Sequence, residues 1–508
     1  MEKFDPDTHE YPHPFIHEVK LTREQRLKGI LLGLFLFPMR VSMAVLCFLI
    51  MWPVARLRLA GLSAEERSRP VTGWRRWLIH PVVRLMSRAV FFSVGFHWVK
   101  VKGRRAGLKE APMLVAAPHS SFLDMLVLPT AQLPTVVSRS ENTSLPVIGA
   151  LLEFNQSVLV SRKDPESRKH AVAQLNERLS SNGYWPQMLM FPEGTTTNGR
   201  ALIKFKPGAF LAGVPVQPVL LRYPNRLVSG GLTPGAWLET LWHTTTQLHT
   251  NMTVEFLPVY NPSEEEKNDP NLYADNVQKL MAKALGVPAT DYVMEGGVPV
   301  SKLGGLSLPL ESPARETLSL LHKNRSGTTH EIKAALDRMM EKCQTGAWGS
   351  RVSTRELSSI LAMKEKQTAA QICSLYSKDD DVDLRQVYFS VSALSGFFSF
   401  KSLLHSAFTL FSKEEEGSLS AEELSDLMGA LLGIAQYHTA ELYAEASVRG
   451  RLTEENLLRV LTTHPTYQRV VSGYLQPGEA GSSPSANGTA ANDVRDSNGF
   501  PTQDKKLD

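Results

Sequence analysis

MLVAAPHSSFLD, running from Met113 to Asp124, decides how this 508-residue chain is read. Five apolar residues in a row make a buried strand, and a histidine (His119) and an aspartate (Asp124) follow in the loop beyond it. Loops at the ends of strands are where α/β folds place reactive groups, and this spacing lets the carboxylate reach back to one imidazole nitrogen. The other nitrogen then faces outward as a base. Taken alone, the pair reads more simply as a helix start, with Ser120 as cap, Asp124 in the first turns and His119 an ordinary loop histidine.

Working outward, short β-branched or apolar runs recur between residues 98 and 295: TVVSR from Thr135, SVLVSR from Ser157, MLMF from Met188, VPVQPVLLRY from Val214 and MTVEFLPV from Met252. They alternate with helical patterns. DPESRKHAVAQLNERLSS predicts a helix capped by Asp164, with Pro165 at its first position and Val172, Leu175 and Leu179 facing inward. Such alternation predicts an α/β domain over residues 70–295.

Upstream, residues 1–28 are polar and proline-bearing and predict a disordered arm. His9, Glu10 and His13 there spell the zinc-protease string H-E-x-x-H, but Pro12 breaks the helix that this chemistry needs. Residues 29–55 are almost continuously apolar and predict a membrane anchor. Pro38 and Arg40 interrupt the run, and basic residues flank both ends, the pattern of a re-entrant hairpin or a transmembrane segment. Beyond it Arg76, His80, Arg84 and Arg88 recur every four residues among Trp74, Trp77, Leu78, Leu85 and Met86. The pattern suits a helix in the lipid headgroup layer, or equally a core helix with a solvated basic face.

Composition sets limits. A net charge of +4 and a pI near 8.8 do not point to nucleic acid. Three scattered cysteines imply no disulfide framework and no cysteine-based zinc site, which fits a reducing compartment. Sequons at Asn142, Asn155, Asn251, Asn324 and Asn487 weaken that inference slightly.

A second strand-to-loop junction, MLMFPEGTTTNG, carries Glu193, Gly194 and Thr195. Its glycine permits close backbone approach, and its hydroxyls and amides could hold a phosphate or glycerol oxygen. Lys204 and Lys206 follow, cations suited to an anionic headgroup or a nucleotide phosphate.

Downstream of a Gly/Pro-rich linker, 296–313, the pattern turns helical to residue 472. A loop signature recurs there about Val352, Leu384, Leu419 and Leu452, at a period near that of EF-hand units. The third loop offers Ser412, Glu414, Glu416, Ser418 and Glu423 as a weak calcium set, since position 1 lacks its usual Asp. In the second, Ser377, Asp379 and Asp381 meet Val382 at the glycine position and Tyr388 at position 12. The first and fourth loops lack the acidic ligands, so the array reads as largely structural. Residues 473–508 are polar and predict a disordered tail.

Four blocks, HSSFLD, SVLVSR, FPEGT and VPVQPV, stand in the order found in the glycerolipid acyltransferases, which this chain resembles. In architecture it is similar to the lysophosphatidylcholine acyltransferases: a membrane segment, an α/β acyltransferase domain and a C-terminal all-α EF-hand-like array. The terminal KKLD resembles a dilysine retrieval signal and points to the type 1 branch over type 2. The resemblance implies acyl transfer from acyl-CoA to lysophosphatidylcholine, a re-acylation in phospholipid remodelling, with lyso-platelet-activating factor and acetyl-CoA as further substrates to test. It implies His119 and Asp124 as the catalytic pair and Arg162, Glu193, Gly194 and Thr195 as substrate-binding residues, to which Lys204 and Lys206 are added on their charge. It also implies the endoplasmic reticulum membrane, with the Golgi and lipid-droplet surface as further locations, and no cofactor beyond possible calcium at one EF-hand. Thr196 stands where members acting on lysophosphatidic acid typically carry Arg, which favours a zwitterionic headgroup. A Gly-x-Ser-x-Gly elbow is absent, so direct transfer is expected over a serine acyl-enzyme. The competing expectation is a membrane-anchored, calcium-responsive scaffold that only binds lipid. Calcium-dependent partner binding that is lost on Glu423→Gln would separate it from the enzyme.

Overall fold

The computed structural model describes residues 13–16, 21–161, 164–224, 236–295, 298–324, 329–345, 351–363, 366–377, 379–412 and 417–476. The chain divides into two compact units, residues 1–302 and 303–508.

The first unit is built on a seven-stranded sheet. Its strands are β1 (Trp98–Lys102), β2 (Met113–Ala117), β3 (Thr135–Arg139), β4 (Val158–Val160), β5 (Met188–Met190), β6 (Val216–Arg222) and β7 (Asn251–Phe256). The spatial order is β1-β7-β6-β2-β5-β3-β4, and every neighbouring pair is parallel except β6 with β7. The unbroken apolar run of β2 is what a strand covered on both faces requires. Leu114 and Ala116 join one buried cluster with Leu189 and Val219, while Met113, Val115 and Ala117 join a second with Met188, Val216 and Leu220. The six expected strands are all present. β1 is an addition, drawn from WVKVK at the end of what read as a helical stretch. The helix expected after Asp164 runs over Pro165–Leu179, with Ala171, Leu175 and Leu179 buried.

The apolar segment is one helix, α1, Arg23–Leu57, with Pro38 and Pro53 inside it. The hairpin reading is therefore corrected: neither Pro38 nor Arg40 forms a turn. Arg40 instead leaves the apolar run sideways and is buried, donating to the carbonyls of Thr245 (2.9 Å), Gln247 (2.5 Å) and Leu248 (2.7 Å). These are the acceptors left unpaired where helix Ala236–Thr245 ends, a favourable position for a cation. Farther along, Arg56 pairs with Glu153 at 2.6 Å. One stripe of α1 thus packs on the domain, including Gly33, Ala44, Met51 and Ala55. Leu31, Leu34, Phe35, Leu46 and Leu49 remain exposed. By length and composition α1 is a helix that could cross a membrane. It begins inside the stretch expected as a disordered arm, capped by a reciprocal Thr22–Gln25 box.

The helix His80–Ser93 follows a wide π turn at Arg75–Ile79, and Pro81 lies in its first turn. Its basic side chains have protein partners, although Arg84 stays exposed. Arg84 donates to Pro129 O (2.9 Å), Arg88 to His97 O (3.0 Å), and His80 Nε2 lies 3.1 Å from Gln132 O.

The stretch expected as a linker carries strand instead: Tyr292–Glu295 pairs antiparallel with Val298–Leu303, and Leu306–Pro309 is extended as well. In the second unit, helices enclose one apolar cluster containing Leu336, Phe389, Leu404, Leu427 and Leu457. Two loop pairs are joined by short antiparallel contacts, Val352 with Val382 and Leu419 with Leu452. The expected centre of the second loop, Leu384, is corrected to Val382. Asp383 caps the next helix two residues earlier than an EF-hand count would place it, which puts Leu384 inside that helix. The Asp381 carboxylate is taken by Arg351, with contacts of 2.6 and 2.7 Å, so an arginine occupies the charge that a cation would meet. The H-E-x-x-H residues His9, Glu10 and Pro12 and the KKLD tail lie outside the described residues.

Candidate active site

β2 and β5 are adjacent and parallel, so the loops leaving their carboxyl ends meet at one edge of the sheet. The first carries His119 and Asp124, the second Glu193. The His119 Nδ1 to Asp124 Oδ2 distance is 2.8 Å. The same oxygen accepts the N–H groups of Ser120 (2.5 Å) and Ser121 (2.9 Å). Ser121 rather than Ser120 is the helix cap, its hydroxyl accepting from Leu123 N. Asp124 therefore both closes a capping box and holds the imidazole.

Asp124 is wholly buried, and its second oxygen accepts the hydroxyl of Tyr223 at 2.6 Å. Four donors converge on one carboxylate, the arrangement that an acceptor-only group satisfies. With Nδ1 donating to Asp124, Nε2 is the ring nitrogen left to act as base, and among the described residues it has no hydrogen-bond partner. Phe191 stacks on the ring at 4.3 Å between centroids and holds its plane. Burial and the Asp124 charge raise the Tyr223 hydroxyl well above its usual range, so it stays a donor. Sequence reasoning missed Tyr223 as a site residue. It lies 99 positions from Asp124, at the end of the recognised VPVQPVLLRY run, and only the β2–β6 pairing brings the two together.

Glu193 is 1 % exposed and turns inward. Its Oε1 accepts the backbone N–H of His119 at 2.7 Å, and Oε2 lies 3.4 Å from the Thr197 hydroxyl. Thr197 N in turn donates to His119 O at 2.7 Å. Glu193 thus clamps the backbone of the histidine loop, which makes it a positioning residue. Gly194 has φ of +66°, and a side chain there would meet Lys206, whose stem crosses the loop. Thr195 is nearly buried, at 9 % exposure. Lys204 departs from this cluster toward Asp275, at 4.0 Å. Arg162 lies outside the described residues.

Burial pushes the Glu193 carboxyl up to about 8, and the Asp124 charge adds to the rise against the pull of the His119 and Ile203 N–H groups. A raised carboxyl favours the folded state below the unfolded value of 4.5, and that advantage is lost as pH climbs through about 8. At about 1.4 kcal/mol per unit the change is on the order of 5 kcal/mol. Glu193→Gln keeps the acceptor for His119 N and cannot ionise. Thermal melts between acid and alkaline pH should show wild type losing stability relative to this variant up to about pH 8 and no further. Parallel curves would contradict the neutral, buried carboxyl.

Of the weak calcium set, Glu414 and Glu416 lie outside the described residues. Ser412 donates through its hydroxyl to Ser418 O at 3.1 Å, and Glu423 accepts from Ser420 N at 2.8 Å in a capping box. Among the described residues no cluster of three metal-ligating side chains is present.

The family model described as Acyltransferase matches residues 98–222, from β1 to the end of β6. Lysophospholipid acyltransferase LPCAT4 of Xenopus tropicalis is 41% identical over 92% of this chain and 91% of its own length. Human lysophosphatidylcholine acyltransferase 2 is 37% identical over 98% of this chain and 93% of its own. Human lysophosphatidylcholine acyltransferase 1 is 35% identical over 92% and 87%. Identity alone does not single out the type 1 branch to which the tail points. With the paired His119–Asp124 and Glu193 loops inside the matched domain and relatives aligned along nearly all of its length, the chain belongs to the acyltransferase family that contains these lysophospholipid acyltransferases.

Proposed function

We propose that this protein re-acylates lysophosphatidylcholine from acyl-CoA by direct transfer. The observation that carries the reading is the His119 imidazole, anchored at Nδ1 by a buried, four-donor Asp124 and offering Nε2 as base. Nε2 takes the proton from the free hydroxyl of the lysolipid as its oxygen attacks the thioester carbonyl. The C–S bond breaks, and the imidazolium returns its proton to the departing CoA thiolate. Asp124 holds the tautomer and stabilises the transient imidazolium.

Choline as headgroup is supported by Thr196 in the place of a phosphomonoester-binding Arg, and by the names of the relatives. Acetyl transfer to lyso-platelet-activating factor is a further substrate reading of the same site. The exposed apolar stripe of α1 supports seating at a membrane, with the endoplasmic reticulum as the proposed location. The paired loops of the second unit support an EF-hand-like array of structural role. Full-length protein given mixed acyl-CoA and mixed lysolipids should yield phosphatidylcholine as the dominant product by mass spectrometry. Dominant phosphatidic acid would overturn the headgroup assignment, and products independent of acyl-CoA would overturn the donor.

A further inference from the structure

A cavity of about 520 Å³ opens at the amino ends of β3 and β5, the edge of the sheet opposite His119. A strand of five residues, roughly 16 Å, separates the two edges. Arg58, Arg76, Arg84 and Arg105 line it together with His80, and no carboxylate does. Two of these guanidiniums have protein partners: Arg84 on Pro129 O and Arg105 on the side chains of Gln132 and Gln187. Arg58 differs. It is 3 % exposed, lies over the Phe154 ring at 4.4 Å, and its Nε and Nη1 have no hydrogen-bond partner. His80 Nδ1 is likewise buried and unpaired.

A buried guanidinium left without acceptors is strongly unfavourable, and an anion would meet it. Burial and the neighbouring Arg76 push Arg58 down to about 10, and a negative charge in the cavity would offset both. Guanidinium forks match the oxygens of a phosphate, and this cluster surrounds a space large enough for one with its ester substituents. The rim identifies the source of that phosphate. Trp74, Trp77, Leu78 and Leu85 are exposed on the same segment, and Arg58 itself caps the end of α1. Aromatic side chains beside arginines suit the headgroup depth of a bilayer.

We propose that this pocket is a phosphate-binding site, separate from the catalytic one, that takes the headgroup of an anionic phospholipid. It does not depend on which lysolipid the His119 site acylates.

Flotation of the full-length protein with phosphatidylcholine vesicles, plain or doped with phosphatidic acid, tests it. Wild type should prefer the doped vesicles, and Arg58→Gln/Arg76→Gln should lose about tenfold of that preference. The control Arg26→Gln/Lys28→Gln removes the same charge elsewhere and should lose far less. Arg76 is exposed, so Arg76→Gln alone serves if the buried variant does not fold, while Arg58→Lys should retain part of the preference. A preference equal in wild type and Arg76→Gln, or equally reduced in the control, overturns the site. Inorganic phosphate that raises the melting temperature of wild type but not of Arg76→Gln, without any vesicle preference, overturns the lipid headgroup as occupant.

Discussion

His119→Ala should lower acyl transfer in membranes by about 10²–10⁴-fold while the protein accumulates and melts nearly as wild type does. In the proposed mechanism the ring supplies the base at Nε2, so its loss removes the proton acceptor and leaves the substrates to be held by the remaining pocket. Stability changes less because the imidazole is partly exposed, with 19 % of its side chain accessible, and Asp124 keeps three other donors. The stacking contact with Phe191 is lost, worth about 1 kcal/mol. Measured as rate per folded molecule, activity within a factor of about ten of wild type would end the general-base reading.

Asp124 carries the second large effect, and the two ways of changing it should separate. In Asp124→Asn the amide oxygen faces His119 Nδ1 and the N–H groups of Ser120 and Ser121, and the amide nitrogen meets the Tyr223 hydroxyl, which can turn to accept. The loop should therefore persist. What disappears is the negative charge that stabilises the imidazolium, so kcat should drop by roughly 10²–10³-fold with KM little moved. Asp124→Ala removes the acceptor altogether and strands buried N–H groups at about 1–3 kcal/mol each, so it should lose on the order of 3 kcal/mol or more in stability as well as activity. Equal melting temperatures for the two variants would show that the four-donor arrangement does not hold the loop.

The chemistry-bearing residues were legible in the sequence to the extent that they are local. His119 and Asp124 lie five positions apart, and one turn closes the distance. Six strands of the first unit were legible, MLVAA most plainly because burial on both faces demands an uninterrupted apolar run, whereas the exposed WVKVK was not. The helix after Asp164 announced itself through its cap and its proline. Loop pairing between Leu419 and Leu452 followed from the repeat, whereas Val382 did not, because Asp383 starts its helix early and shifts the register.

Charge was the least legible feature. Arg40 in an apolar run read as lying near a turn or snorkelling, and Arg84 and Arg88 at helical spacing read as a lipid-facing or solvated stripe. Arg40 and Arg84 donate to carbonyls of distant segments and Arg88 to His97 just beyond its own helix, and no local pattern reveals that such acceptors exist. Glu193 read as a group for substrate, and its carboxyl group points at the backbone of His119.

The sequence by itself determined the α/β domain, the order of its blocks, the apolar segment and the contact between His119 and Asp124, since each follows from local patterning or from contacts a few residues apart. Only the tertiary structure decided that β2 lies between β5 and β6, and with that order came Glu193 beneath His119 and Tyr223 upon Asp124. Strand order is set by how two buried faces pack together, and the partners of a buried charge are whatever that packing delivers.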